Sequence, residues 1–426
     1  MIAFLWLLAI LAALVGLTYL VSAGMAATRI RQWGVLAASS VSAIALVGVT
    51  FSRPHPGIVI ALAVAAGLAG VFLLRRVTRN PSHAAESTKT AAAHLTLLAG
   101  SFLFMIPFAW LISTSLKTDD EMAVFPPVWI PTQQVELPRI QGMEGEPAKL
   151  SVFVPSGNQV AELGDLPSGD VRVRDLQSGD EFTATREQLK KVRQVDPRWE
   201  NYPEALEYLP KETNYGLVFL GNTLLLTALT VTGTLISSSL VAFAFARLNF
   251  PGRDALFLVL LATMMVPGAV TMMPQFLIFR ELNWIDTLRP LWVPAFFGAP
   301  FNIFLLRQFF MSIPTELEDA AKIDGCGPFG IYWRIMLPLV KPALAAIAIL
   351  AILGAWNNFQ GPLIYLSSPE KMPLAYALQL YQQQHGGEPG LLMAASTLVI
   401  LPIIVLFFFT QRYFIEGVSL TGLGGR

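Results

Sequence analysis

Long apolar stretches, separated by short polar connections, run through most of this chain. A helix needs roughly 20 residues to cross a bilayer, so each long stretch predicts one membrane span. We predict about nine spans, at positions 2–22, 34–52, 57–74, 93–116, 216–246, 254–279, 288–311, 340–366 and 390–414. The expected fold class is therefore an all-α, polytopic membrane protein.

The segment 117–214 follows a different pattern. It is rich in charged residues, Pro and Gly, and it contains alternating runs at 150–154 and 171–174. Alternation of apolar and polar positions between glycine-containing turns indicates β-strands. We expect a small β-rich module here, with four spans before it and five after it.

Basic residues are distributed unevenly around the first spans. They follow the first and third spans, as Arg29, Arg31, Arg75, Arg76, Arg79 and Lys89. The positive-inside rule then places 23–33 and 75–92 in the cytoplasm and the N-terminus outside, where the first apolar stretch is interpreted as a retained span. Counting onward places 117–214 outside, and the polar loop 312–339 and the C-terminus inside. The domain division is 1–92, 93–116, 117–214 and 215–426.

Composition supports the membrane assignment. The chain is 54% hydrophobic and only 14% charged, whereas soluble proteins carry about 25% charged residues. The formal net charge of zero argues against a nucleic-acid partner. The single cysteine, Cys326, excludes an intrachain disulfide, and the scattered histidines predict no metal site.

The polar loop 312–339 has the pattern of a short helical hairpin. Thr315 and Glu318 have capping-box spacing, which predicts a helix start stabilised by both side chains. Gly325 and Gly327 favour a left-handed turn, after which Pro328 can open a second helix that closes at Pro338. Leu317, Ala320 and Ala321 are expected to share one small face, which would let another surface approach closely.

These residues carry a resemblance to a known family. Asp319-Ala320-Ala321, then Gly325, then Ile335, Leu337 and Pro338, resembles the "EAA" loop of the membrane subunits of binding-protein-dependent ABC importers, with Asp in place of the first Glu. The resemblance implies that the hairpin, with Glu318 included, is a coupling helix that docks on a cytoplasmic ATPase. The alternative is an amphipathic helix lying on the membrane surface.

The resemblance also implies an organisation for the whole transporter. The core would have six helices, with three extra N-terminal ones, in a bacterial inner membrane. The implied partners are a cytoplasmic ATP-binding subunit pair that holds ATP and Mg²⁺, a second, non-identical permease, an extracytoplasmic solute-binding protein, a sugar and membrane lipid. The chain has no Gly-x-x-x-x-Gly-Lys-[Ser/Thr] phosphate loop, so we expect no enzyme activity and no cofactor in this chain itself.

One midspan stretch is unusually polar for a membrane protein. Trp356, Asn357, Asn358 and Gln360 offer uncharged hydrogen-bonding groups that suit sugar hydroxyls, and the stretch resembles the Trp-Asn-Asp-Phe region of sugar-importer permeases. Asn222 is a weaker candidate for the same substrate pathway. Alternatively, the amides hydrogen-bond neighbouring helices. Prolines and glycine also predict breaks in two spans, at Pro267, Pro274, Pro290, Pro294, Gly298 and Pro300.

The ends of the external segment, 125–131 and 199–206, resemble two pieces that sugar-importer permeases carry close together. We therefore interpret about 133–196 as an insertion, which either contacts the binding protein or a neighbouring subunit or has no binding role. Two other functions stay open at this point. One is an ion-gradient-driven secondary transporter or channel, although no paired midplane charges are evident. The other is a membrane-anchored receptor whose function lies in 117–214.

Overall fold

The computed structural model describes residues 2–29, 32–51, 56–77, 81–122, 128–137, 148–167, 169–383 and 389–422. Arg31 and Arg79, which entered the topology prediction, and residues 125–127, which entered the resemblance, lie outside the described residues. The chain forms two compact units, Met1–Ala109 and Trp110–Arg426.

Three closely packed helices and the greater part of a fourth helix make up the first unit. They are α1 (Ile2–Arg29), α2 (Trp33–Phe51), α3 (Pro56–Val77) and the greater part of α4 (Pro81–Ser115). Glycines allow α1 and α3 to approach backbone to backbone. A methyl group on Gly16 would lie 2.5 Å from the Ala63 carbonyl oxygen, and one on Gly70 would lie 2.7 Å from the Leu20 amide nitrogen. Small residues at such contacts are typical of helices packed in a membrane.

The second unit contains the remaining helices. They are α5 (Asp119–Met122), α6 (Asn201–Glu207), α7 (Leu217–Arg247), α8 (Arg253–Thr263), α9 (Gly268–Glu281), α10 (Arg289–Trp292), α11 (Pro300–Ser312), α12 (Thr315–Ile323), α13 (Pro328–Ile331), α14 (Leu337–Leu339), α15 (Lys341–Trp356), α16 (Gln360–Tyr365), α17 (Leu374–Ala377), α18 (Leu380–Gln383) and α19 (Pro389–Gly422). A buried apolar cluster joins α7, α11, α13 and α15.

The expected β-rich module is present. Its strands are β1 (Thr132–Gln134), β2 (Lys149–Phe153), β3 (Gln159–Asp165), β4 (Val171–Asp175), β5 (Glu181–Ala184), β6 (Leu189–Lys191) and β7 (Arg193–Val195). An antiparallel sheet has the order β5-β4-β3-β2-β6 and encloses a small core that includes Val160 and Val173. A separate ladder pairs β1 with β7, with Thr132 opposite Val195. This ladder brings both ends of the module together as a two-stranded stem.

The prediction of a mostly helical, multi-pass membrane protein is confirmed. In the described part of the chain, five helices are long and apolar enough to cross a membrane: Ile58–Arg75, Thr88–Ser115, Leu217–Arg247, Arg289–Ser312 and Pro389–Gln411. Two bent helix pairs would raise this number to seven. Shorter apolar stretches of the described chain lie at Ala13–Ala27 and Val35–Val47.

The break predicted at Pro267 in the span over 254–279 is present in the structure. Helices α8 and α9 meet at an angle of 97°, and Pro267 caps the start of α9 with an extended backbone. Proline has no N–H to continue the helix, and it also disfavours helical backbone in the residue before it. Pro274, in contrast, lies inside α9, so the break predicted there is wrong.

The other interrupted spans also depart from simple rods. The predicted span over 340–366 ends at Trp356 and resumes as α16 at Gln360, and the chain bends by 78° between the segment Pro328–Leu339 and α15. In the predicted span over 288–311, a 3₁₀ stretch at Val293–Phe297 lies between α10 and α11, as its prolines predicted. A methyl group on Gly233 of α7 would lie 2.4 Å from Cδ2 of Phe296, so α7 contacts this stretch closely.

Candidate functional site

The polar loop forms the predicted helical hairpin. Helix α12 ends at Ile323, and Gly325 has φ +81°, a left-handed conformation that glycine adopts without steric cost. Pro328 is the first residue of α13, as predicted. The left-handed prediction is wrong for Gly327, which has φ −74° and caps the start of α13. Its extended backbone is what a helix N-cap requires.

The predicted capping box is also wrong. Pro314 occupies the cap position, Thr315 is already helical, and no side-chain cap bond forms. The Glu318 carboxylate points elsewhere: it lies 3.0 Å from Lys322 Nζ and 3.7 Å from a terminal nitrogen of Arg247. Two cations stabilise a buried carboxylate more than one backbone amide does, which explains why Glu318 does not cap the helix.

Arg247 is the last residue of α7 and connects three elements. Its guanidinium donates hydrogen bonds to the carbonyls of Phe310 and Ile313, at the C-terminal end of α11, and also pairs with Glu318 of α12. Both charged side chains are nearly inaccessible, with 5% of Arg247 and 10% of Glu318 exposed. The base of the hairpin is therefore held to α7 and α11 by a desolvated ionic contact.

Outside this contact, the hairpin exposes several large apolar side chains. Ala321 packs in the buried core while Leu317 and Ala320 are exposed, so the three residues do not form one exposed face for docking. The exposed surface instead includes Ile323, Phe329 and Trp333, which are 86%, 69% and 60% accessible. Large apolar side chains exposed together are typical of a protein-binding surface.

The other predicted coupling residues have distinct positions. Asp319 is exposed and lies 3.4 Å from Lys322 Nζ. The hydrogen bond to Glu318, and then the one to Asp319, raise the pKa of Lys322. Ile335 and Leu337 pack on the buried core, whereas Pro338 is exposed within α14, directly after a π-turn at Tyr332–Met336.

The predicted pathway residues separate into two groups. Three of them bind the protein itself. The Trp356 indole is buried and donates to the Val399 carbonyl at 3.2 Å, and the Asn358 side chain accepts the Gly361 amide at 3.0 Å. Asn222 donates to the Glu370 carbonyl at 2.9 Å. These hydrogen bonds connect helix ends and a loop.

Asn357 and Gln360 form the second group, since both remain exposed. Gln360 Nε2 lies 3.7 Å from Met272 Sδ, which brings the start of α16 beside α9 close to its break. Asn357 Nδ2 donates to the Leu353 carbonyl at 3.0 Å, and its Oδ1 has no hydrogen-bond partner among the described residues. The arrangement offers uncharged polar groups beside a thioether and the exposed ring of Phe359, a surface that suits a polyhydroxylated ligand.

Sequence reasoning missed two residues that organise the site. Neither Arg247 nor Asp286 was among the predicted site residues. The Asp286 carboxylate accepts the amides of Ser367 and Ser368, both at 3.0 Å, and so fixes the segment that follows α16. Neither residue belongs to a local sequence motif, because Arg247 and Asp286 both contact residues that are distant along the chain.

The fold and site therefore define a polytopic membrane protein with a helical hairpin that exposes apolar side chains. Residues 233–420 match the family described as "binding-protein-dependent transport system inner membrane component". The arabinooligosaccharides transport system permease protein AraQ of Halalkalibacterium halodurans is 38% identical over 218 residues, which cover 51% of this chain and 78% of that protein. The AraQ protein of Bacillus subtilis is 40% identical over 204 residues, which cover 48% of this chain and 72% of the relative.

More distant relatives agree with this assignment. The sn-glycerol-3-phosphate transport system permease protein UgpE of Yersinia pestis is 34% identical over 208 residues, covering 48% of this chain and 73% of that protein. A crystal structure of a bacterial ABC transporter involved in import of the acidic polysaccharide alginate has the same fold, with a TM-score of 0.52 and 22% identity over 77% of this chain and 98% of its own.

The chain belongs to the family of inner membrane components of binding-protein-dependent transport systems. It is the permease subunit of an ABC importer, a multi-pass inner-membrane protein that is not itself the ATPase. The family predicted from the hairpin motif is therefore confirmed.

Proposed function

We propose that this chain forms one half of the translocation pathway of a sugar or oligosaccharide importer. The relatives named for arabinooligosaccharides support this substrate class. The uncharged surface formed by Asn357, Gln360 and Phe359 supports it as well. Sugar hydroxyls both donate and accept hydrogen bonds, which side-chain amides can match without a charge.

The coupling role rests on the exposed apolar surface of the hairpin. Leu317, Ile323, Phe329 and Trp333 would insert into a groove on a cytoplasmic ATP-binding subunit, with Asp319, Ala320 and Gly325 permitting close approach. That subunit, present as a pair, would bind ATP and Mg²⁺. Closure of the pair would move the hairpin and switch the permease from inward-open to outward-open, because ATP binds one conformation better than the other.

The pathway itself is assigned to the exposed group of polar residues. Asn357 and Gln360 would contact the moving sugar, while Trp356, Asn358 and Asn222 would hold the surrounding helices and loop in place. A second, non-identical permease would supply the opposite wall. An extracytoplasmic solute-binding protein would deliver the sugar to this opening.

The membrane arrangement follows from the same assignment. We infer nine spans, with α8 and α9 counted as one crossing, α15 and α16 as another, and α1 and α2 as full ones. The N-terminus would lie outside, and the hairpin and the C-terminus in the cytoplasm. The β-rich module would then be an external insertion carried on the β1–β7 stem, placed to contact the binding protein.

The observation that carries the proposal is the exposed apolar surface of the hairpin, and it defines the experiment. The complete importer is purified with a tagged ATP-binding subunit and reconstituted in vesicles with arabino-oligosaccharides as the probe. Phe329→Asp should abolish co-purification of this chain with the tagged subunit, because a carboxylate would be buried in the contact. Val195→Asp, an equally exposed apolar site in the external module, is the matched control and should co-purify normally. Uptake by the unmodified importer without ATP would instead favour an ion-gradient-driven transporter.

A further inference from the structure

The base of the hairpin contains an ionic contact that its docking surface does not explain. The Arg247 guanidinium pairs with Glu318 on one side and binds the α11 carbonyls of Phe310 and Ile313 on the other. A contact that served only to stabilise α12 would not need the end of α11. The arginine instead connects the hairpin to two spanning helices at once.

The C-terminal end of α11 is a favourable place for the Arg247 cation. The C-terminal end of a helix carries partial negative charge on its free carbonyls, and Phe310 and Ile313 lie at that end of α11. Guanidinium is a planar, fork-shaped donor that can serve several acceptors together. Arg307 repeats the connection beside it, donating to the Phe245 carbonyl of α7 at 3.3 Å and lying 4.2 Å from the ring centre of Phe257 in α8.

The contact is also built to be costly to break. Both side chains are removed from water, and Glu318 has a second cation beside it in Lys322, so loss of Glu318 leaves the buried Arg247 without a carboxylate. Displacement of α12 must therefore carry α7 and α11 with it or leave the buried charge of Arg247 without its counter-ion. Among the described residues, Arg247 Nε has no hydrogen-bond partner, so one donor is available to a new acceptor when the helices rearrange.

We propose that Arg247 is the positioning residue through which movement of the hairpin is transmitted to the spanning helices α7 and α11. The inference rests on the proposed coupling function and deepens it, since it names the link inside the permease. Glu318 and the end of α11 are the two sides of that link. The exposed residues of the hairpin bind the ATPase, whereas Arg247 passes the resulting displacement on.

The test follows the conformational response of the spanning region in the complete importer. In a Cys326→Ser background, spin labels are placed at Leu224→Cys on α7 and Met265→Cys at the break before α9, both exposed positions. Magnesium-ATP with vanadate is the probe, and the distance between labels is measured before and after its addition. Replacement of Arg247 by Met should reduce the shifted fraction at least about fivefold, the low end of typical coupling effects.

Three further variants make the result decisive. Arg247→Lys retains a cation and should restore part of the response. The double variant Arg247→Met/Glu318→Met leaves no unpaired charge, so it should assemble with the ATPase even where the single variant does not, yet still lose the response. Arg253→Met, in the same turn but paired with the exposed Asp254, should respond like the unmodified chain.

The possible outcomes distinguish a failure of the Arg247 proposal from a failure of the proposed function. A normal distance change in the assembled double variant would overturn the role of Arg247. Absence of any nucleotide-dependent change in the unmodified importer would refute the proposed function instead. Loss of the response in the assembled double variant, with Arg253→Met unaffected, would support the inference.

Discussion

Asp286 Oδ2 accepts a hydrogen bond from Lys371 Nζ at 2.8 Å, joining the turn after α9 to the segment after α16. The same oxygen accepts the Ser368 hydroxyl at 2.6 Å. The hydrogen bond from Lys371, followed by that from the Ser368 side chain, holds the pKa of Asp286 well below its ordinary value. This clamp lies directly after the candidate pathway residues of α15 and α16.

The clamp predicts a pH-dependent contribution to stability. Because the pKa of Asp286 is lower in the folded than in the unfolded chain, its stabilising effect is fully present above the ordinary carboxyl pKa of about 4 and is lost as the pH falls further. Asp286→Asn should therefore lower the unfolding temperature at pH 7. The difference from the unmodified protein should shrink steadily below about pH 4.

Thermal unfolding of the detergent-solubilised protein across this pH range provides the measurement. Asp254→Asn is the control, since that carboxylate is exposed and pairs with its sequence neighbour Arg253. A difference for Asp286→Asn that stayed constant down to pH 2 would show that the clamp does not work through its charge.

The contact between α7 and the 3₁₀ stretch predicts a size limit at Gly233. A larger side chain there would overlap the Phe296 ring, and overpacking of this kind costs about 1–3 kcal/mol. Gly233→Leu should therefore lower the unfolding temperature and the yield of folded protein. Gly221→Leu tests the same change in the same helix, where nothing lies within 4 Å of an added methyl group, and should be tolerated. Equal losses in both variants would point to a general effect of leucine in α7.

The division of the pathway residues predicts two kinds of defect. Gln360→Leu should reduce uptake of arabino-oligosaccharides about 2- to 10-fold through a higher KM, the effect expected for one lost hydrogen bond, while the unfolding temperature hardly changes. Asn222→Leu should lower the unfolding temperature and leave KM nearly unchanged, because the Asn222 amide donates to the Glu370 and Met372 carbonyls. Uptake kinetics and thermal unfolding of the same preparations check both. A Gln360 variant with normal KM would remove that residue from the pathway.

The stem of the module predicts that the module can be removed cleanly. Gln134 of β1 lies opposite Arg193 of β7, so replacing 135–192 by Asn-Gly leaves a short hairpin with a favourable turn. The shortened chain should insert and bind the ATPase as before, while its affinity for the binding protein should fall. Binding to immobilised binding protein measures this. Unchanged affinity would assign the module no role in that contact.

The sequence was sufficient for some elements of the fold. The span predicted over 216–246 is Leu217–Arg247 in the structure, because a long apolar run has few alternatives to a membrane helix. The hairpin was equally predictable from the sequence, since Gly325 and Pro328 determine local backbone geometry. The bend at Pro267 was foreseeable as a break, but its angle of 97° depends on tertiary packing.

The failures have a common physical origin. In a membrane helix, apolar residues cover both the lipid face and the packed face, so the pattern does not reveal which way Trp356 or Asn357 points. Likewise, Glu318 fitted a local capping motif, but a buried cation from a distant helix was the stronger partner. Contacts between residues far apart in the chain, such as Arg247 with Glu318, cannot be predicted from the pattern of a single sequence.

The central claim, that the hairpin faces the cytoplasm and receives the ATPase, is tested most directly by labelling one side chain. In a Cys326→Ser background, Ile323→Cys provides a single thiol at the most exposed apolar position of the hairpin. A membrane-impermeant maleimide should label it only in inside-out vesicles, and added ATP-binding subunits should block the reaction. Labelling from the outside, or labelling that bound ATPase leaves unchanged, would contradict the account.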